Sequence, residues 1–102
     1  MLKLIDARVQ HERFPQTFSV PPLDRIARIK AGDFVKIGAE FEADTDGRTG
    51  ERFWVVILSA FDRAGSACFR GKIDNDLLCT DRHGLSEGDE IEFNPRHILA
   101  LD

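Results

Sequence analysis

Phe53-Trp54-Val55-Val56-Ile57-Leu58 is the longest unbroken apolar run in this 102-residue chain, and together with the next fifteen residues it decides the fold. A run apolar at both parities suits a central strand, flanked here by Arg52 and Ser59. Asp62-Arg63-Ala64-Gly65-Ser66 then turns the chain. Beyond it Ala67, Phe69, Gly71 and Ile73 alternate with Cys68, Arg70, Lys72 and Asp74. An apolar run, a glycine-bearing turn and a period of two together specify a β-hairpin.

Upstream, Val35, Ile37, Ala39, Phe41 and Ala43 alternate with Lys36, Gly38, Glu40 and Glu42, which predicts a half-buried strand. The polar stretch Asp44–Gly50 connects it to the hairpin. Downstream, Leu77–Thr80 reads as a short strand or extended piece and Asp81–Gly84 as a loop. Ile91 and Phe93 between Glu90 and Glu92 form another strand. Asn94-Pro95 caps a turn, and Ile98–Leu101 closes the barrel or ends in a short helix. At the N-terminus, Ala7–Phe14 suits a short helix stopped by Pro15. Pro21-Pro22 starts another, of about two turns, closed by Ala31-Gly32. The expected architecture is mainly β with minor helix: a small antiparallel, SH3-like barrel or roll of about five strands. It is one domain over 1–102, with 1–31 as a helical or irregular cover and 32–102 as the barrel-like core.

One internal echo stands out. Ile29–Ile37 overlays Leu85–Phe93, each with an apolar anchor, then Gly-Asp, then apolar residues at alternate positions. A glycine free to take positive φ and an aspartate able to bond nearby amides would start each following strand in register. A recurrent turn used twice accounts for this without duplication of a larger unit.

Apolar residues make up 42% of the chain, enough to build a core without metals or disulfides. No apolar run approaches the roughly 20 residues that span a bilayer, and the N-terminal run is too short for a secretory signal. Cys68 and Cys79 are too few for a disulfide framework, so reduced thiols and a cytoplasmic location are expected. The net charge of −4 disfavours a phosphate backbone on average, although a local basic patch would matter more.

Gly50-Glu51-Arg52-Phe53-Trp54-Val55, Gly71-Lys72-Ile73-Asp74-Asn75-Asp76, Gly88-Asp89-Glu90-Ile91-Glu92-Phe93 and His97-Ile98 succeed one another along the chain. This order resembles the YegJ-like proteins, a bacterial domain-of-unknown-function family, over residues 33–99. Phe53 stands where many of those relatives have methionine. The resemblance implies a compact β-rich domain and assigns no activity.

Several side-chain groups could carry function, each beside a plainer reading. Eight phenylalanines and no tyrosine suggest a packed core, and Trp54 in the apolar run suits burial better than base stacking. Asp74-Asn75-Asp76 near Asp81-Arg82-His83 could form an acid–base or cation site, but lacks a calcium-loop pattern and a nucleophile–base motif. Strand-end hydrogen bonding accounts for it as well. Cys68, Cys79, His83 and His97 lack metal-ligand spacing, so no metal or other cofactor is expected. Arg52, Arg70, Lys72 and Arg82 could form a basic stripe, yet residues 52–102 hold six bases and nine acids, so cross-strand pairing explains them too. Glu40 with Glu42, and Glu90 with Glu92, would form an acidic ridge if their strands paired.

The leading expectation is a non-catalytic binding module, a protein–protein interaction or regulatory accessory protein. Its partner would be another protein, with a basic one meeting Glu40, Glu42, Glu90 and Glu92 as the specific case. The first alternative is a nucleic-acid-binding barrel using a basic strand face. The second is an enzyme or small-ligand site around Asp74, Asn75, Asp76 and His83. The binding candidates are Arg52, Trp54, Arg70, Lys72, Asp74, Asn75, Asp76, Arg82 and His83.

Overall fold

The computed structural model describes residues 2–43 and 45–102. Met1 and Asp44, the latter opening the expected Asp44–Gly50 connection, lie outside the described residues. The hairpin dominates. β3 (Gly50–Arg63) and β4 (Ser66–Ile73) pair antiparallel through a two-residue turn, Ala64 and Gly65, both at positive φ (53° and 83°). That conformation matches the right-handed twist of the paired strands. Leu58 is the extra residue of a bulge between Ile57 and Ser59, which lets β3 run well past the apolar stretch.

β2 (Phe34–Glu40) lines the other side of β3, and β5 (Glu90–Phe93) lines β4. The second edge of β2 is shared: β1 (Lys3–Leu4) covers Ala39 and Glu40, and β6 (Ala100–Leu101) covers Val35 and Lys36. The result is an antiparallel sheet curled into a half-barrel, ordered β1-β2-β3-β4-β5 with β6 beside β2. The C-terminal segment thus closes the sheet as a strand.

Alternation sorts the side chains. Val35, Ile37 and Ala39 meet Phe53, Val55, Ile57, Phe69, Ile73, Ile91 and Phe93 on the inner face. Ile26, Ile29 and Ile98 complete this core. Gly71 is needed there because a Cβ would come within 3.2 Å of Phe93 and Val55 side chains and of the Val56 carbonyl.

The two Gly-Asp turns have one geometry. Gly32 (φ 94°) donates its N–H to Ile57 O at 2.8 Å, and Ile57 N–H donates to Asp33 O at 2.7 Å. Gly88 (φ 91°) donates to Ile73 O at 2.8 Å, and Ile73 N–H donates to Asp89 O at 2.9 Å. Asp33 Oδ2 accepts the Lys30 N–H and Asp89 Oδ2 the Ser86 N–H. Each turn therefore docks on one strand of the hairpin and launches the strand beside it.

The helices are short: α1 (Ala7–Arg13), capped by the Asp6 carboxylate, and α2 (Leu23–Ile26), shorter than its apolar spacing suggested. Leu77–Thr80 is not a strand. Leu78 is 77% exposed, and Thr80–His83 forms a helical turn, α3, where a loop was expected. The reason is that a side chain, not a neighbouring strand, takes the Leu78 and Cys79 amides. Cys68, expected on the polar side of its strand, is buried because Asn94 folds over it, donating Nδ2–H to Ala67 O (2.9 Å) and to Cys68 Sγ (3.3 Å). Among the described residues no helix is long and apolar enough to cross a membrane.

Candidate functional site

The outer face of the sheet collects four of the nine expected binding residues, Arg52, Trp54, Arg70 and Lys72. Phe34, Val56, Lys72 and Glu90 are successive register partners across β2, β3, β4 and β5. In the next row Lys36 opposes Trp54, with the ammonium 5.1 Å from the indole centroid. Phe34 is 37% exposed, Leu58 is 40% exposed, and Trp54 and Val56 are half-buried. Large apolar side chains side by side on an open sheet face form a patch of the kind partners use.

The basic residues divide sharply. Arg63 and Arg70 both reach the Glu92 carboxylate, at 2.7 and 3.1 Å, and the Arg63 hydrogen bond, followed by that of Arg70, holds that carboxyl below its usual range. Arg52 lies over the Phe18 ring at 5.3 Å. Lys36, Arg52 and Lys72 make no ion pair among the described residues. The acidic ridge does not form, because β3 and β4 separate β2 from β5 and Glu40 is paired with Lys3.

Asp74-Asn75-Asp76 follows β4 directly. Asp74 N–H donates to Trp54 O at 2.9 Å, and the Trp54 N–H donates to Asn75 Oδ1 at 2.7 Å. Asn75 Nδ2–H donates to Asp76 O. The amide side chain thus substitutes for the next residue of the ladder, while both carboxylates are exposed.

His83 does not join them. Its ring is buried, with 1% of the side chain exposed, and Nε2 sits 2.8 Å from Glu51 Oε1. Nδ1 accepts the Leu85 N–H at 3.0 Å, so the ring proton is on Nε2 and is donated to Glu51. Glu51 also accepts the Leu78 and Cys79 amides, at 2.7 and 2.8 Å. Burial opposes ionisation of Glu51. The Leu78 amide, the His83 ring and the Cys79 amide outweigh it, keeping the carboxyl below its usual range. With both ring nitrogens engaged, His83 has no lone pair for a substrate proton. The groove beside it, of about 560 Å³, is bordered by Lys3, Phe41 and Arg82, not by Asp74 or Asp76. Arg82 stacks over Phe41 and donates to Glu42 O, fastening α3 to the end of β2.

Sequence reasoning passes over Glu51, Lys36 and Phe34. Glu51 carries a signal: it shares the inward parity of Phe53, Val55 and Ile57, and an acid there needs a buried partner. Lys36 and Phe34 gain meaning only through the β2–β3 register. Among the described residues no group of three or more histidine, cysteine, aspartate and glutamate side chains is placed to hold a metal ion. No protein-family model, curated protein or solved structure matches the chain, so the resemblance to the YegJ-like proteins rests on its quoted residues alone.

Proposed function

We propose that this chain is a non-catalytic binding module that meets a partner protein through the outer face of β2–β4. The observation carrying this reading is the open row Phe34–Val56–Lys72 beside Lys36–Trp54, apolar at its centre and cationic at its margins. The occupied nitrogens of His83 and the ladder role of Asn75 weigh against a reaction at those residues. The ion pair of Arg70 removes one of the cations a basic stripe would need.

The test places a photo-crosslinking phenylalanine at position 34 and, as control, at Asp81 on the exposed side of α3, in the producing cells. The expected result is one nuclease-resistant protein adduct from position 34 and none from position 81. No adduct, equal adducts from both positions, or an adduct removed by nuclease overturns the reading.

A further inference from the structure

We infer that the partner of this face presents an acidic amphipathic segment, with carboxylates spaced around one or two large apolar side chains. This rests on the outer sheet face being the contact surface, and it adds the chemistry of what binds there.

Charge supports it first. Phe34 belongs both to the sheet face and to a neighbouring groove of about 460 Å³ that it shares with Arg25, Arg28, Lys30 and Asp102. Lys30 is committed to Asp33 at 3.1 Å, whereas Arg25 and Arg28 make no ion pair among the described residues. With Lys36 and Lys72, four cations without ion pairs surround one phenylalanine and its neighbours. The acids at the same border are Asp33, taken by Lys30, and Asp102 in the groove, and Glu90 opposite Lys72. A chain of net charge −4 has thus gathered unpaired positive charge around its open apolar face. Such an arrangement steers and orients an anionic partner.

The aromatic rings decide between two anionic partners. Single-stranded nucleic acid binds by stacking bases on free ring faces. Here Lys36 already occupies a face of Trp54, so of the rings of Trp54 and Phe34 on this face only Phe34 has no cation over it among the described residues, and a run of stacked bases needs more than one such ring. A peptide needs no free ring face. Its apolar side chains can settle on Phe34, Val56 and the exposed Leu58, while its carboxylates reach Lys36 and Lys72 on either side.

The test selects displayed random dodecapeptides on the intact chain, on Lys36→Glu/Lys72→Glu and on Phe34→Ser, each verified as folded by circular dichroism. Selected peptides are remeasured by fluorescence anisotropy against oligo-dT. The expected result is enrichment of peptides rich in Asp and Glu with a large apolar residue. Their affinity should fall about ten-fold or more with the double charge reversal, fall with Phe34→Ser, and weaken in high salt. Neutral or basic peptides, no enrichment, indifference to the charge reversal, or tighter binding of oligo-dT overturns the inference. A protein adduct at position 34 alongside neutral peptides would leave the contact face standing and remove only the acidic chemistry. Loss of both would remove both.

Discussion

His83 Nε2 stands 2.8 Å from Glu51 Oε1, joining residues 32 positions apart and pinning α3 to the base of the hairpin. The same carboxylate holds two successive amides, Leu78 and Cys79, so one inward-facing acid organises the whole connection from β4 to the second Gly-Asp turn. The rings of Phe41 and Phe53, 6.1 and 6.3 Å from the imidazole by centroid, flank the pair, and only 12% of the Glu51 side chain is exposed. In such surroundings the bonds to Glu51 are worth more than the same bonds at an open surface.

Replacing the carboxylate tests this directly. Glu51→Gln turns one acceptor oxygen into a donor facing a backbone amide, and it should cost about 2 kcal/mol at neutral pH. Because the folded carboxyl ionises below its ordinary value of 4.5, its contribution is fully present above that pH and is lost as pH falls below it. Urea melts of both proteins should therefore converge in acid. A constant gap down to strongly acidic pH would contradict an ionised Glu51 carboxylate.

His83→Ala separates a structural latch from a working site. Loss of a buried ring and of the proton it donates to Glu51 should lower stability by about 3 kcal/mol. Amide exchange should rise first from Leu77 to Leu85. An unchanged melting temperature with lost binding would instead make His83 a ligand contact.

His97 adds a second loss of stability in acid. Burial, reinforced by Arg96 and opposed by Asp6, holds its pKa below 6.5, and its Nδ1 accepts the Asn94 N–H at 3.0 Å. Unfolded chains take up the proton first as pH falls below 6.5, so this group makes folding weaker in that direction. Proton NMR of the ring should show a midpoint below 6.5; one above it would contradict the geometry.

The docked turns give a paired prediction. Gly32→Ala and Gly88→Ala meet no atom within 4 Å, so their cost of roughly 1–2 kcal/mol should come from backbone conformation alone. Gly71→Ala should cost about 1–3 kcal/mol by crowding Phe93 and Val55. Truncating Phe93 to Leu should relieve part of the Gly71→Ala defect and none of the Gly88→Ala defect. Urea midpoints of the double variants distinguish the two mechanisms.

The hairpin, its turn and the flanking strands are legible in the sequence because each displays a period over several residues. β1 is not, since two residues show no period and it exists only by bonding to β2. Of β6 the sequence shows the apolar closing segment Ile98–Leu101 but leaves strand and short helix open, and bonding to β2 decides it. The Leu77–His83 segment misleads because its apolar residues suggest a strand, while the Glu51 carboxylate claims its amides. His83 stands near Asp74 and Asp76 in sequence, which suggests a shared site. Its partner lies on β3, and only the inward parity of Glu51 hints at it. Trp54 reads as part of the apolar interior, yet its strand neighbour Lys36 shows it to be an outer-face residue.

The twin turns also separate the job of alignment from the job of connection. Bonds from Gly32 and Asp33 to Ile57 fix how β2 lies against β3, and bonds from Gly88 and Asp89 to Ile73 fix β5 against β4. Neither alignment depends on the length of the chain passing from one strand to the next. The place of Phe53 in the core is therefore set by where the two turns dock and not by how many residues separate β2 from β3.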